Sequence, residues 1–133
     1  MKWCAVLILG LLSPQSALAS AECTALLNRD ATLGHDKAIC STSRLLGGHT
    51  QTTCYWVHDY RAPSARIQFD LMQGQIESCL GKDAALPADL AVNHPDSFIL
   101  NQYAGQGLQV SLSLKDKGGL NQTLIFLSLH PVP

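Results

Sequence analysis

Two carboxylates, one imidazole and a pair of aromatic rings are the side chains of this sequence that could do chemistry. His94 and Asp96 stand close together in the run Val92-Asn93-His94-Pro95-Asp96, and Asp116 follows further on. A histidine with either carboxylate could serve as general base and acid in a small hydrolase of the cell envelope. Asn, Pro, Asp and Gly are also the residue types that turns require, and that is the preferred reading of both segments. Tyr55 and Trp56 offer ring faces on which a small molecule could stack, and His58 shares a strand face with Trp56. Asn93, Lys115 and Asp116 complete the candidate binding residues. The histidines His35, His49, His58, His94 and His130 form neither H-E-x-x-H nor an H-x-H pair, so no metal and no cofactor is expected. G-x-S-x-G and a phosphate-cradling glycine loop do not occur either.

Cysteine adds a third chemistry. Cys4 lies in the N-terminal segment, and Cys23, Cys40, Cys54 and Cys79 follow it. With no C-x-x-C, an even set in an oxidising compartment reads as structural bridges, not as a nucleophile or redox pair. The N-terminus supplies the compartment. Lys2 precedes an apolar run from Ala5 to Leu12, Pro14 breaks it, and Ala17-Leu18-Ala19 provides the small residues of a signal-peptidase site. Residues 1–19 are therefore read as a signal peptide and 20–133 as one small domain, secreted to the periplasm of a bacterium. That run is about eight residues against the roughly 20 needed to span a bilayer, so no membrane insertion is expected after cleavage. Nine Lys and Arg against 10 Asp and Glu give a net charge of −1 with no basic stripe. That balance argues against nucleic acid or an anionic membrane as the main partner.

The elements that must position these groups follow from the periodicity of the chain. A short helix is expected from Cys23 to Asp30, followed by a stretch of poor periodicity from His35 to Thr50 with a turn at Gly47-Gly48. Gln51 to Tyr60 is rich in β-formers and alternates, with Thr52, Cys54, Trp56 and His58 on one face and Thr53, Tyr55, Val57 and Asp59 on the other. Ala65, Phe69, Met72, Ile76, Cys79 and Leu80 recur at helical steps, predicting a helix over Ser64 to Leu80 with Ser64 as cap and Gly81 as terminator. Ile67, Phe69 and Leu71 also alternate, but the helical stripe runs twice as far. Strands are expected at Ser97–Tyr103, at Leu108–Lys115 and at Leu120–Leu129, with Gly105 and Gly107 in one turn and Asp116-Lys117-Gly118-Gly119 in the next. The last strand carries a nearly continuous apolar run and is expected to be central and covered on both faces. The order predicts an α+β two-layer sandwich with an antiparallel sheet of about four strands, two helices and two disulfides.

Four cysteines allow three pairings. If the first strand turns at residues 60 to 63 and lies antiparallel under the long helix, Cys54 is about 20 Å back along the strand and Cys79 about 22 Å along the helix. The two come level, which predicts Cys54 with Cys79 and leaves Cys23 with Cys40.

Cys54-Tyr55-Trp56, Cys79-Leu80-Gly81, the Val92 to Ser97 turn and Ser113-Leu114-Lys115-Asp116-Lys117-Gly118 together resemble a family of small, uncharacterised secreted proteins of proteobacteria, over most of residues 50–130. The resemblance implies export and brings no activity with it. The function expected is non-enzymatic: binding of another envelope or secreted protein, as an inhibitor, an immunity factor or an envelope accessory protein. The hydrolase using His94 with Asp96 or Asp116, and a small-molecule binder built on Trp56 and Tyr55, are the alternatives.

Overall fold

Phe69, Met72 and Ile76 bury one stripe of a long helix, and the inward residues of a five-stranded sheet receive it. The computed structural model describes residues 23–87 and 98–132. The expected signal segment and the Asn93, His94 and Asp96 turn lie outside the described residues. A short helix α1 spans residues 23–27. The sheet strands are β1 (Ile39–Arg44), β2 (Thr50–Asp59), β3 (Phe98–Gly105), β4 (Leu108–Lys117) and β5 (Gln122–Pro131), and α2 (Pro63–Leu80) joins β2 to β3. The spatial order is β1-β2-β5-β4-β3, every neighbouring pair antiparallel. Both helices contribute to one core on the same side of the sheet, which gives the α+β two-layer arrangement.

The helical stripe is the one that the sequence spells out. Ala65, Phe69, Met72 and Ile76 are buried, while Ile67 and Leu71 are 61% and 58% exposed. A strand over this segment would have put Ile67, Phe69 and Leu71 on one face, so their divergence settles the helix. Burying each of the larger side chains is worth about 1.5–3 kcal/mol. The cap differs from expectation. Pro63 occupies the first turn after Ala62, whose extended backbone serves as N-cap without a side-chain bond. Proline presets the helical φ there and lacks an N–H that would otherwise go unpaired. Ser64 is turned instead toward His58. At the far end Gly81 takes φ 86° and donates its N–H to the Glu77 carbonyl at 2.8 Å.

β4 buries Leu108, Val110 and Leu112, and β5 buries Thr123, Ile125, Leu127 and Leu129. β5 is central, as expected, but the expectation that both its faces are covered fails. Leu124, Phe126 and Ser128 are only half-buried, because both helices sit on the other face. Asp116 and Lys117 belong to β4 and not to the turn, paired with Thr123 and Gln122. The chain reverses one step later, at Gly118–Leu120, with Asn121 left-handed at φ 53°. The β3–β4 hairpin turns at Gln106 and Gly107, both at positive φ, the backbone twist that matches two-residue hairpins.

The fifth strand was not foreseen. β1 reads Ile-Cys-Ser-Thr-Ser-Arg and all six residues are exposed, so it carries no hydrophobic alternation to detect. The loop before it is equally silent. Arg29, Leu33 and Lys37 adopt positive φ, and Asp30 accepts hydrogen bonds from the Thr32 N–H at 3.0 Å and hydroxyl at 2.7 Å.

The disulfide pairing is the main correction. Cys23 joins Cys79, and Cys40 joins Cys54. Cys40 and Cys54 face one another directly across the β1–β2 ladder. Cys54 and Cys79 are level along the strand direction but separated across the sheet. At its start α2 touches β2 through His58, and at its end it reaches β3, where Tyr103 bonds Glu77 and a Cβ on Gly105 would lie 3.8 Å from that of Leu80. β2 and β3 are three strand spacings apart, about 14 Å at ~4.8 Å each. Cys79 is carried away from Cys54 by this diagonal and meets α1 instead.

Candidate functional site

Strand alternation sends the aromatic candidates to opposite sides of the sheet. Tyr55 points to the outer face, where its ring stacks on Phe126 of β5 with centroids 5.6 Å apart and planes at 30°. The ladder places them directly opposite one another. The Lys115 ammonium sits 5.0 Å from the centre of the Phe126 ring, a cation–π contact worth about 0.5–1 kcal/mol at an exposed site. Registers on either side extend the row: Ile39 opposite Tyr55, Ser113 opposite Phe126, and Leu100 opposite Ser113. Val57 and Leu124 form the adjacent row. Ile39 is 51% and Val57 46% exposed.

A polar row flanks this band. Ser41, Thr53, Ser128, Ser111 and Gln102 lie in register across the five strands. The Thr53 and Ser128 hydroxyls are 2.9 Å apart, and the Gln102 amide donates to Ser111 at 3.5 Å. These two bonds tie neighbouring strands together within the row. Among the described residues neither helix lies on this face.

Trp56 turns the other way. It is 3% exposed, its indole N–H donates to the Asp36 carbonyl at 3.0 Å, and the His35 ring meets it edge-on at 6.2 Å. Tyr55 and Trp56 therefore form no common stacking surface, which corrects that expectation. His58 lies on the inner side with Trp56, and both its ring nitrogens are engaged: Nδ1 is 3.0 Å from Ser64 Oγ, and Nε2 is 2.7 Å from Gln68 Oε1. The Gln68 carbonyl oxygen accepts only, so Nε2 donates to it, and the Ser64 hydroxyl, which can donate or accept, pairs with Nδ1. This histidine fastens β2 to the first turns of α2.

Asp116 is likewise used by the fold. Its Oδ1 accepts from the Thr123 hydroxyl at 2.7 Å, and its Oδ2 lies 3.4 Å from Arg61 Nε. The same Thr123 oxygen accepts the Arg61 backbone N–H at 2.7 Å. Thr123 is 1% exposed, and Arg61 sits at positive φ. The cluster clamps the β2–α2 turn onto the end of the β4–β5 hairpin, and each carboxylate oxygen has a partner in it.

Two shallow depressions flank α2, of 330 and 540 Å³, and share His35 and Leu71. His35 Nε2 is 2.8 Å from Gln75 Oε1, and the Gln75 amide donates to the Leu33 carbonyl at 3.3 Å, so the ring braces the loop against the helix. Tyr103 is the side chain whose ionisation the fold perturbs. Burial first, then the Glu77 carboxylate and the hydrogen bond its hydroxyl donates to it at 3.3 Å, push its pKa up to about 12. No cluster of three His, Cys, Asp or Glu able to hold a metal occurs among the described residues, and no described helix is long and apolar enough to cross a membrane.

Of the candidates read from sequence, the structure brings Tyr55 and Lys115 together on the outer face. It sends Trp56, His58 and Asp116 inward. Phe126, the centre of the outer band, was missed as a site residue because only the β2–β5 register reveals that it faces Tyr55. No protein-family model matches this chain, and no curated protein matches it. A search of solved structures finds the crystal structure of CalU16 from Micromonospora echinospora at 14% identity and a TM-score of 0.33, covering 73% of this chain and 69% of that one.

Proposed function

We propose that this chain is exported to the periplasm, loses residues 1–19, and acts there by binding another protein through the outer face of its sheet. An inhibitor, an immunity factor or an envelope accessory protein would each work this way. The observation that carries the reading is the Tyr55–Phe126 stack with Ile39, Val57, Leu100 and Leu124 around it, on a face that neither described helix covers. Aromatic residues in an apolar band rimmed by polar ones are what a protein interface centres on. Small molecules favour concave sites, whereas this surface is a sheet face. The two disulfides suit an oxidising compartment, and the Lys2 to Ala19 segment supplies the export signal.

The test pairs two aspartates on opposite sides. Val57→Asp places a charge in the band, and Ile67→Asp places one on the exposed flank of α2. Each tagged protein is recovered from periplasm and its co-purifying protein identified by mass spectrometry. The expected outcome is a partner seen with wild type and Ile67→Asp and lost with Val57→Asp. A partner lost only with Ile67→Asp would move the site to the helix.

A further inference from the structure

β1 buries none of its side chains, since all six residues are exposed, and yet it is stapled to β2 by Cys40–Cys54. Ordering these residues costs backbone entropy, and no hydrophobic burial in this strand offsets it. Its ladder and its disulfide hold it in place. What it offers is an edge of the sheet on which no described strand pairs.

Two observations fix which backbone groups point off that edge. In an antiparallel pair, residues bonded to the neighbour stand ~5.5 Å apart at Cα, and residues whose N–H and C=O point away stand ~4.5 Å apart. The Cα atoms of Cys40 and Cys54 are 4.1 Å apart, so Cys40 is of the second kind, and by alternation so are Thr42 and Arg44. Leu45 gives the same parity independently. Its N–H donates to the His49 carbonyl at 2.7 Å, which puts the groups of the odd-numbered residues on the β2 side. The N–H and C=O groups of Cys40, Thr42 and Arg44 therefore face outward.

The geometry points to a second copy of this chain as the occupant of that edge, paired antiparallel through β1 about a two-fold axis at Thr42. A two-fold contact must be self-complementary, and this register is. Thr42 faces the partner's Thr42, and Cys40 faces the partner's Arg44, so every outward residue of the strand exchanges both of its backbone bonds. Moving the axis to Ser41 or Ser43 leaves one outward residue unpaired within the strand. Even-numbered residues meet even-numbered ones, so the helix-bearing faces stay on one side and the outer faces on the other. Arg44, the one charge in β1, meets no like charge opposite. Ile39 comes opposite the partner's Leu45, so two apolar side chains meet at each end. β1 also contains no Pro or Lys, the residues that commonly guard a free edge. The result is one continuous sheet in which the two Tyr55–Phe126 bands lie on the same face. This goes beyond the binding reading and does not depend on it.

The test uses the oxidised mature protein in a concentration series, read by sedimentation and by amide exchange in NMR. The mass should double with concentration. The amides of Cys40, Thr42 and Arg44 should gain protection in step, while those of Ser41 and Ser43 stay protected throughout. Thr42→Pro removes the central donor, whose N–H does not serve the β1–β2 ladder, a position where an edge strand tolerates proline. It should keep both disulfides and the folded spectrum and stay monomeric. If that variant does not fold, the wild-type exchange pattern decides. A protein monomeric at every concentration, a dimer in which the Thr42 amide exchanges as in the monomer, or a folded Thr42→Pro that still dimerises would each overturn the proposal.

Discussion

Tyr103 shows most plainly how a single side chain couples this fold to its surroundings. Its hydroxyl is buried against Glu77, and its pKa is raised to about 12 from the usual 10. A group whose folded pKa is raised contributes stability that is complete below its unfolded pKa and is lost as pH climbs through the folded one. Unfolding midpoints should therefore hold up to about pH 10 and then fall toward about pH 12. Tyr103→Phe should be flatter over that window, and the difference between the two denaturation series isolates this residue. An identical alkaline decline in both would assign the loss elsewhere. The candidate residues divide at the same scale. Alternation in β2 is legible in sequence and assigns Tyr55 to one face and Trp56 and His58 to the other. The side chain each one meets is not legible. His58 reads as a binding candidate beside Trp56 until Ser64 and Gln68 are seen to occupy both nitrogens, and Asp116 reads as a turn residue until Thr123 and Arg61 claim its oxygens.

Elements with a buried stripe declare themselves, and those without one do not. The helix over Pro63–Leu80 and the inward positions of β4 and β5 follow from spacing, because burial imposes the 3.6- and 2-residue periods. β1 buries nothing and left no pattern. The pairing of the cysteines was hidden for a related reason: it depends on the angle at which α2 crosses the sheet, and periodicity along a helix carries no information about that angle. Non-reducing peptide mapping should recover Cys23 with Cys79 and Cys40 with Cys54. The longer bridge closes a loop of 56 residues, which in the chain-entropy account is worth about 4 kcal/mol, against about 3 kcal/mol for the 14-residue loop. Replacing both Cys23 and Cys79 by Ser should therefore lower stability more than replacing Cys40 and Cys54, as read by urea unfolding. The reverse order would mean that the β1 staple, not the helix clasp, dominates.

At the scale of the whole molecule the two faces of the sheet have divided their tasks. The inner one receives both helices, the Trp56 and Tyr103 rings and the disulfide to α1, and everything there is spent on holding the chain together. The outer one carries an aromatic stack, an ammonium over a ring and a row of polar side chains, and no described helix rests on it. A surface of that kind is costly to leave in water, which is why we place recognition there. Photo-crosslinking in the native envelope measures this most directly, with a benzophenone side chain introduced at Val57 on the sheet face and, separately, at Ile67 on α2. The account expects a discrete adduct to a protein other than this chain from position 57 and none from position 67. Adducts from position 67 alone, or none from position 57 while the folded protein accumulates, would contradict it.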